Sequence, residues 1–168
     1  NNAKGIYASN SGPSTIESNL FDGNNRPGPA GGVSIYSYTT NGLSVLSNEF
    51  KGQTTNAAVL FDAGASHTNL SFNLNYLHDN DPASSCVYAA NVAGGEFANN
   101  NITNGFRGFK IAGGNSNINI HNNIISGTGQ ADIMVNTDYG ANTGIQAHAN
   151  SLTSAVTIRN DDVTIVDA

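Results

Sequence analysis

The chain has no tryptophan and only one cysteine and one methionine. A lone Cys86 excludes an internal disulfide and any cysteine-rich metal cluster. Charge is scarce as well. Asp, Glu, Lys and Arg make up 11% of the 168 residues, against about 25% in an average globular chain. The six basic residues are scattered and the net charge is −6, so the clustered Lys and Arg of a nucleic-acid binder are missing. No apolar run approaches the roughly 18 residues of a membrane span. Helical periodicity is absent over any useful length, which excludes helix bundles and α/β folds. The first residues, NNAKG, hold neither an initiator methionine nor a signal peptide. The expectation is one domain over 1–168, a mature product or a module of a larger protein.

Asn and Gly fill the gap, with 27 and 19 copies. A hydrophobic share of 38%, spread evenly along the chain, argues against a disordered polar tract. The asparagines recur in a phrase: Asn, any residue, apolar, any residue, turn residue. It begins at Asn19, Asn48, Asn75, Asn100, Asn123 and Asn150, with spacings of 29, 27, 25, 23 and 27. A period near 26 with small insertions is the signature of a solenoid. Two residues after each Asn stand Phe21, Phe50, Leu77, Ile102, Ile125 and Leu152, and three before it Ile16, Val45, Phe72, Phe97, Ile120 and Ala147. Polar residues occupy most intervening positions, so the segments are short strands with one face inward.

A further strand opens each repeat. Its inward column reads Ile6, Ile35, Leu60, Val87, Phe109, Ile133 and then Val156 or Ile158. A shift of one residue in the third repeat would turn Phe61 inward instead of Leu60. Stacking such repeats in parallel register buries an apolar face that no single repeat buries alone. It also lines up the six asparagines, whose side chains bond along the column.

The segments TIESNLFDGN, SVLSNEFKGQ, INIHNNIISGTG and IQAHANSLTSA resemble the repeats of right-handed parallel β-helix proteins, the superfamily of pectate lyases, alginate epimerases and phage tailspikes. The resemblance implies an all-β, single-stranded, right-handed parallel β-helix of about seven coils with an internal asparagine ladder. It also implies an extracellular or cell-surface protein that meets polysaccharide along an outer face. The Tyr-Gly-Phe-Asp-Pro-His motif of alginate epimerases is absent. The nearest text, YLHDNDP at 76–82, differs in order and spacing, so no catalytic residue is carried over.

Candidate sites follow from the columns. The outward residues of the opening strands read Tyr7, Tyr36, Phe61, Tyr88, Lys110, Met134 and Thr157. Four successive aromatics would make a ladder about 15 Å long, suited to stacking on sugar rings or to plain cross-strand packing. Tyr7, Tyr36, Phe61, Tyr88 and Lys110 are therefore the candidate substrate-binding residues. Tyr76, His78 and Asp79, with Asp62 nearby, carry acid–base chemistry. Lys110 or Arg107 would neutralise a substrate carboxylate, as a lyase or epimerase requires. The same HDNDP segment is also plain turn chemistry. His121 and His148 occupy equivalent positions and should stack. No metal site is assigned. Calcium is compatible with the carboxylates Asp161, Asp162 and Asp167, or Asp79 and Asp81.

Three functions fit. The first is a module that binds or presents to polysaccharide, within an adhesin, fibre or multidomain enzyme. The second is a lyase or C5-epimerase acting on an acidic glycan. The third is a spacer or filament subunit that associates end to end through uncapped coils.

Overall fold

The computed structural model describes residues 4–24, 32–80, 83–160 and 165–167. It is all strand and turn. The first coil is β1 (Lys4–Ser11), β2 (Ser14–Glu17) and β3 (Leu20–Asp22). The second is β4 (Val33–Asn41), β5 (Leu43–Leu46) and β6 (Glu49–Lys51). The third is β7 (Val59–Phe61), β8 (His67–Asn73) and β9 (Tyr76–Asn80). The fourth is β10 (Ser85–Ala89), β11 (Val92–Ala98) and β12 (Asn101–Asn104). The fifth is β13 (Arg107–Ile111), β14 (Ser116–His121) and β15 (Ile124–Ser126). The sixth is β16 (Ala131–Val135), β17 (Thr143–His148) and β18 (Ser151–Leu152), and β19 (Ile158–Asn160) and β20 (Ile165–Asp167) follow.

Each strand pairs in parallel with its equivalent one coil away, so the chain is a parallel β-solenoid. Opening and middle strands form one 14-stranded sheet, because β4 runs through the corner and pairs with both β7 and β8; closing strands form a six-stranded sheet. The six three-strand coils are joined by five turns between β3 and β18, and β19 and β20 add part of a further coil, against the seven coils expected. The return of the first coil, 25–31, lies outside the described residues, and the last coil contributes strands to two columns only. Among the described residues no helix is long and apolar enough to cross a membrane.

The asparagine column is continuous. Asn19, Asn48, Asn75, Asn100 and Asn123 each donate from the backbone N–H and from Nδ2 to Oδ1 of the next asparagine, ending at Asn150, with distances of 2.9–3.2 Å. From Asn48 onward the remaining Nδ2 hydrogen reaches back to a main-chain carbonyl: Ile16, Val45, Phe72, Phe97 and Ile120 in turn. The side chains thus satisfy backbone groups that the corner leaves out of the sheet ladder.

The left-handed residue at this corner is the one before each asparagine: Ser18, Ser47, Leu74, Asn99, Asn122 and Ala149, with φ between 52° and 60°. Leu74 is the misfit, since a branched L side chain there costs roughly 1–2 kcal/mol and its side chain is 57% exposed. Leu74→Asn should raise stability by about 1 kcal/mol and Tm by about 2–4 °C. A thermal melt showing a lower Tm would mean that Leu74 contributes packing larger than its backbone strain.

Inside, phenylalanines stack along the axis. Phe21 and Phe50 lie 4.8 Å apart and nearly parallel, and Phe97 and Phe109 lie 5.8 Å apart, also nearly parallel. Ile35, Val59, Val87, Phe109 and Ile133 fill the opening column and are fully buried. The third coil therefore takes the shifted register: Val59 and Phe61 face in, and Leu60 pairs with Tyr36 and Tyr88 on the outer face. Phe61 is 0% exposed and lies against His67, so it leaves the outer aromatic ladder. In the last coil Ile158 joins the inward column, and Arg159 stands outward where Thr157 was expected.

A candidate binding groove on the opening-strand face

The outer column of the opening strands now reads Tyr7, Tyr36, Leu60, Tyr88, Lys110, Met134 and Arg159. Its two ends differ. Tyr7 is 55% exposed and its ring centre lies 5.4 Å from that of Tyr36. Lys4 Nζ sits 3.8 Å from the Tyr36 ring centre, a cation–π contact that caps the pair. Tyr36 itself is only 8% exposed. Its hydroxyl donates to the Asp62 carboxylate. Burial first, and that bond second, push its phenol well above the usual range. Tyr36 is a packed and anchored ring, and of this pair Tyr7 alone offers an open face.

From the third coil onward the column becomes the floor of a groove. Two clefts adjoin there and share Asn56 and Tyr88. One, of about 190 Å³, is lined by Ser84, Ser85, Arg107 and Lys110. The other, of about 270 Å³, is lined by Leu60, Asp62, Ala63 and Tyr139. The walls are corner loops: Asn56 and Ser84 enter on the side where each coil begins, and Asp62 and Tyr139 on the side where the opening strand ends.

Tyr88 lies between the two clefts. Burial and a hydrogen bond with Tyr139 raise its phenol pKa, so it stays protonated. Lys110 Nζ is 5.2 Å from the Tyr88 ring centre and 2.8 Å from the Asp138 carboxylate. The Lys110 bond holds the Asp138 carboxyl below its ordinary range. Arg107 donates to Gln130 and, at 3.3 Å, to Ser85 Oγ, which fixes the guanidinium at the rim. The arrangement presents a flat ring, two cations, the paired carboxylates Asp62 and Asp138, and several neutral hydrogen-bonding groups.

The other expected cluster forms elsewhere. His78 Nδ1 is 2.8 Å from Asp79 and Nε2 is 3.0 Å from Glu49. Burial is the largest single influence on His78 and lowers its pKa, but the bonds with Glu49 and Asp79 and the charges of both together outweigh it, and the imidazole titrates above its usual range. Tyr76 stacks on it with ring centres 4.3 Å apart. This trio belongs to β9 in the closing sheet, whereas Lys110 and Arg107 belong to β13 in the opening column. Asp62 is committed to Tyr36, not to His78. The structure therefore separates the expected acid–base residues from the expected cation. What it brings together with Lys110 and Arg107 is Tyr88.

His121 and His148 do stack, in register and with ring centres 5.2 Å apart; Glu96 lies 3.1 Å from His121 Nε2. Bonds from Asn73 and then His121 hold the Glu96 carboxyl below its usual range. Among the described residues no group of three His, Cys, Asp or Glu is arranged to hold a metal. Of the carboxylates considered for calcium, Asp81, Asp161 and Asp162 lie outside the described residues, as does the Asp167 side chain.

Two features have no signal in the repeat pattern. Tyr139 comes from a loop that breaks the period. His67 is fully buried and bonds Thr40 Oγ1 at 3.1 Å and the Asp62 carbonyl at 3.3 Å, which anchors the loop forming one groove wall. Burial, partly offset by the Asp62 carbonyl, lowers its pKa, so His67 stays neutral. Its position one residue into a middle strand, beside an apolar column, is the only trace in the sequence.

No protein-family model, no curated protein and no solved structure matches the chain.

Proposed function

We propose that the chain is an extracellular or cell-surface β-solenoid module that binds polysaccharide in the groove on its opening-strand face. The observation carrying this reading is the pair of adjoining clefts across the third to fifth coils, with Tyr88 at their junction. An extended polymer suits a groove that runs along the stack. Phenol and guanidinium groups supply ring stacking and directional bonds, and the pectate lyase-like look of the repeats agrees with a glycan ligand. Arg107, bonded to the neutral Gln130 and Ser85, favours a carboxylated or sulfated chain over a neutral one in this groove, and Lys110 joins it by exchanging Asp138 for the ligand.

Tyr88→Ala should weaken binding of a glycan found by array screening about tenfold or more, the loss typical of a central aromatic anchor. Tyr7→Ala should have a smaller effect. Titration calorimetry on the selected glycan checks both. Unchanged affinity in Tyr88→Ala would remove the groove from consideration.

The lyase or epimerase reading has one supporting contact, the proximity of Tyr88 to Lys110. A protonated Tyr88 serves as a proton donor, and the carboxylates near it are already paired, Asp138 with Lys110 and Asp62 with Tyr36. Growth of absorbance near 232 nm on adding alginate or pectate would replace the binding-module reading with a lyase.

A further inference from the structure

A third cleft, of about 400 Å³ and sharing no lining residue with the groove, lies at the corner between the opening and middle strands of the first three coils. Ser11, Thr39, Thr40, Asn41, Ser66 and Thr68 line it, with Asn10 and Gly12 at its edge. Every lining residue is uncharged. Asn41 Oδ1 already accepts from Thr68 Oγ1 at 2.8 Å and from Asn69 Nδ2 at 3.2 Å, so the Asn41 amide is oriented with its Nδ2 hydrogens left to donate. Thr40 is fixed from behind by buried Ser37 and His67, at 3.0 Å and 3.1 Å.

Two independent oddities mark this cleft. The Oγ of Ser11 is a buried hydroxyl with no hydrogen-bond partner, and such a group calls for an explanation. Thr39 has φ of 55°. Among the described residues it is the one β-branched residue at a left-handed position, where the equivalent residue of the first coil is Asn10 with φ of 49°. Backbone strain of this kind concentrates at ligand sites.

We propose that this cleft is a binding site for a neutral hexopyranose unit. A charged ligand would be desolvated there without a counter-charge, at high cost. A sugar ring presents hydroxyls to the Ser, Thr and Asn groups and C–H faces to the threonine methyls, the mixture a small-ligand pocket offers. The inference does not rest on the groove reading, and the two sites take opposite chemistry: anionic chain in the groove, neutral ring at the corner.

The test is ligand-observed NMR and calorimetry on the intact chain. The probes are glucose, galactose, mannose and N-acetylglucosamine, with glucuronate and galacturonate as charged counterparts. At least one neutral sugar should bind in the millimolar range and at least about tenfold better than the uronates. Ser66 is exposed at the rim, so Ser66→Trp should fill the cleft and abolish binding without unfolding the chain, which a thermal melt verifies. Asn41→Asp, which keeps the oxygen bonded by Thr68 and Asn69 but replaces the free amide donor, should weaken binding about tenfold and carries the test if Ser66→Trp fails to fold. The proposal is overturned if none of the four sugars binds, if binding survives both variants, or if the uronates bind equally well. Loss of sugar binding in Tyr88→Ala instead of Ser66→Trp would place the sugar in the groove and end the corner site while leaving the groove reading intact.

Discussion

Replacing Asn100 by alanine should lower Tm by roughly 8–16 °C, a loss of about 4 kcal/mol. The Asn100 amide is buried and makes four bonds. Its Oδ1 accepts from the Asn75 backbone and side chain, and its Nδ2 donates to Asn123 Oδ1 and to the Phe72 carbonyl. Alanine leaves those partners without water or a substitute, and each orphaned buried group costs about 1–3 kcal/mol. Asn19→Ala is the control. Asn19 stands at the edge of the column, is exposed, and donates to Asn48 and Glu17. Its loss should cost about 1 kcal/mol. Thermal and urea melts of the two variants compare them directly. Equal losses would mean that the column contributes as isolated surface bonds and not as a buried ladder.

That column is also what the sequence displays most openly. A side chain that must sit in one geometry in every coil repeats in every coil, so Asn19, Asn48, Asn75, Asn100, Asn123 and Asn150 announce parallel stacking without any neighbour being known. The backbone of the corner is less legible. Asparagine tolerates left-handed backbone, but here the left-handed turn is taken by the preceding residue, as varied as Ser47, Leu74 and Ala149. The asparagine is selected for its amide and not for its φ.

Register was legible only where alternation is unambiguous. In VLF at 59–61 all three residues are apolar, and period-two logic accepts either phase. The structure resolves it through Val59, which pairs with Ile35 and Val87 in the inward column and carries Phe61 inward with it. The site suffered more than the fold, because grooves are built by the residues that interrupt a repeat. Asn56, Ser84 and Tyr139 sit in corner loops of variable length, where no column predicts position. Tyr88 and Lys110 were found because they occupy a column. Tyr76 and His78 were read as partners of Lys110 because linear proximity says nothing about which face of a three-sided coil a residue occupies.

Phe97→Ala should cost about 3–5 kcal/mol and alter the shape of the unfolding transition as well as its midpoint. The Phe97 ring lies 5.8 Å from Phe109, 6.1 Å from Phe61 and 6.2 Å from Phe72. It therefore bridges packing of the third, fourth and fifth coils at the middle of the stack. A solenoid is stabilised by nearest-neighbour interfaces, so weakening a central interface uncouples the coils on either side. Phe21→Ala removes a ring that stacks on Phe50 at the first coil, and should fray that end while the remaining coils unfold together. Urea melts followed by tyrosine fluorescence and by far-UV circular dichroism distinguish the cases. The two probes should coincide for Phe21→Ala and separate for Phe97→Ala. Coincident transitions in both variants would show that cooperativity spans the whole stack and does not depend on a central ring, and the one-dimensional picture of its stability would then fail.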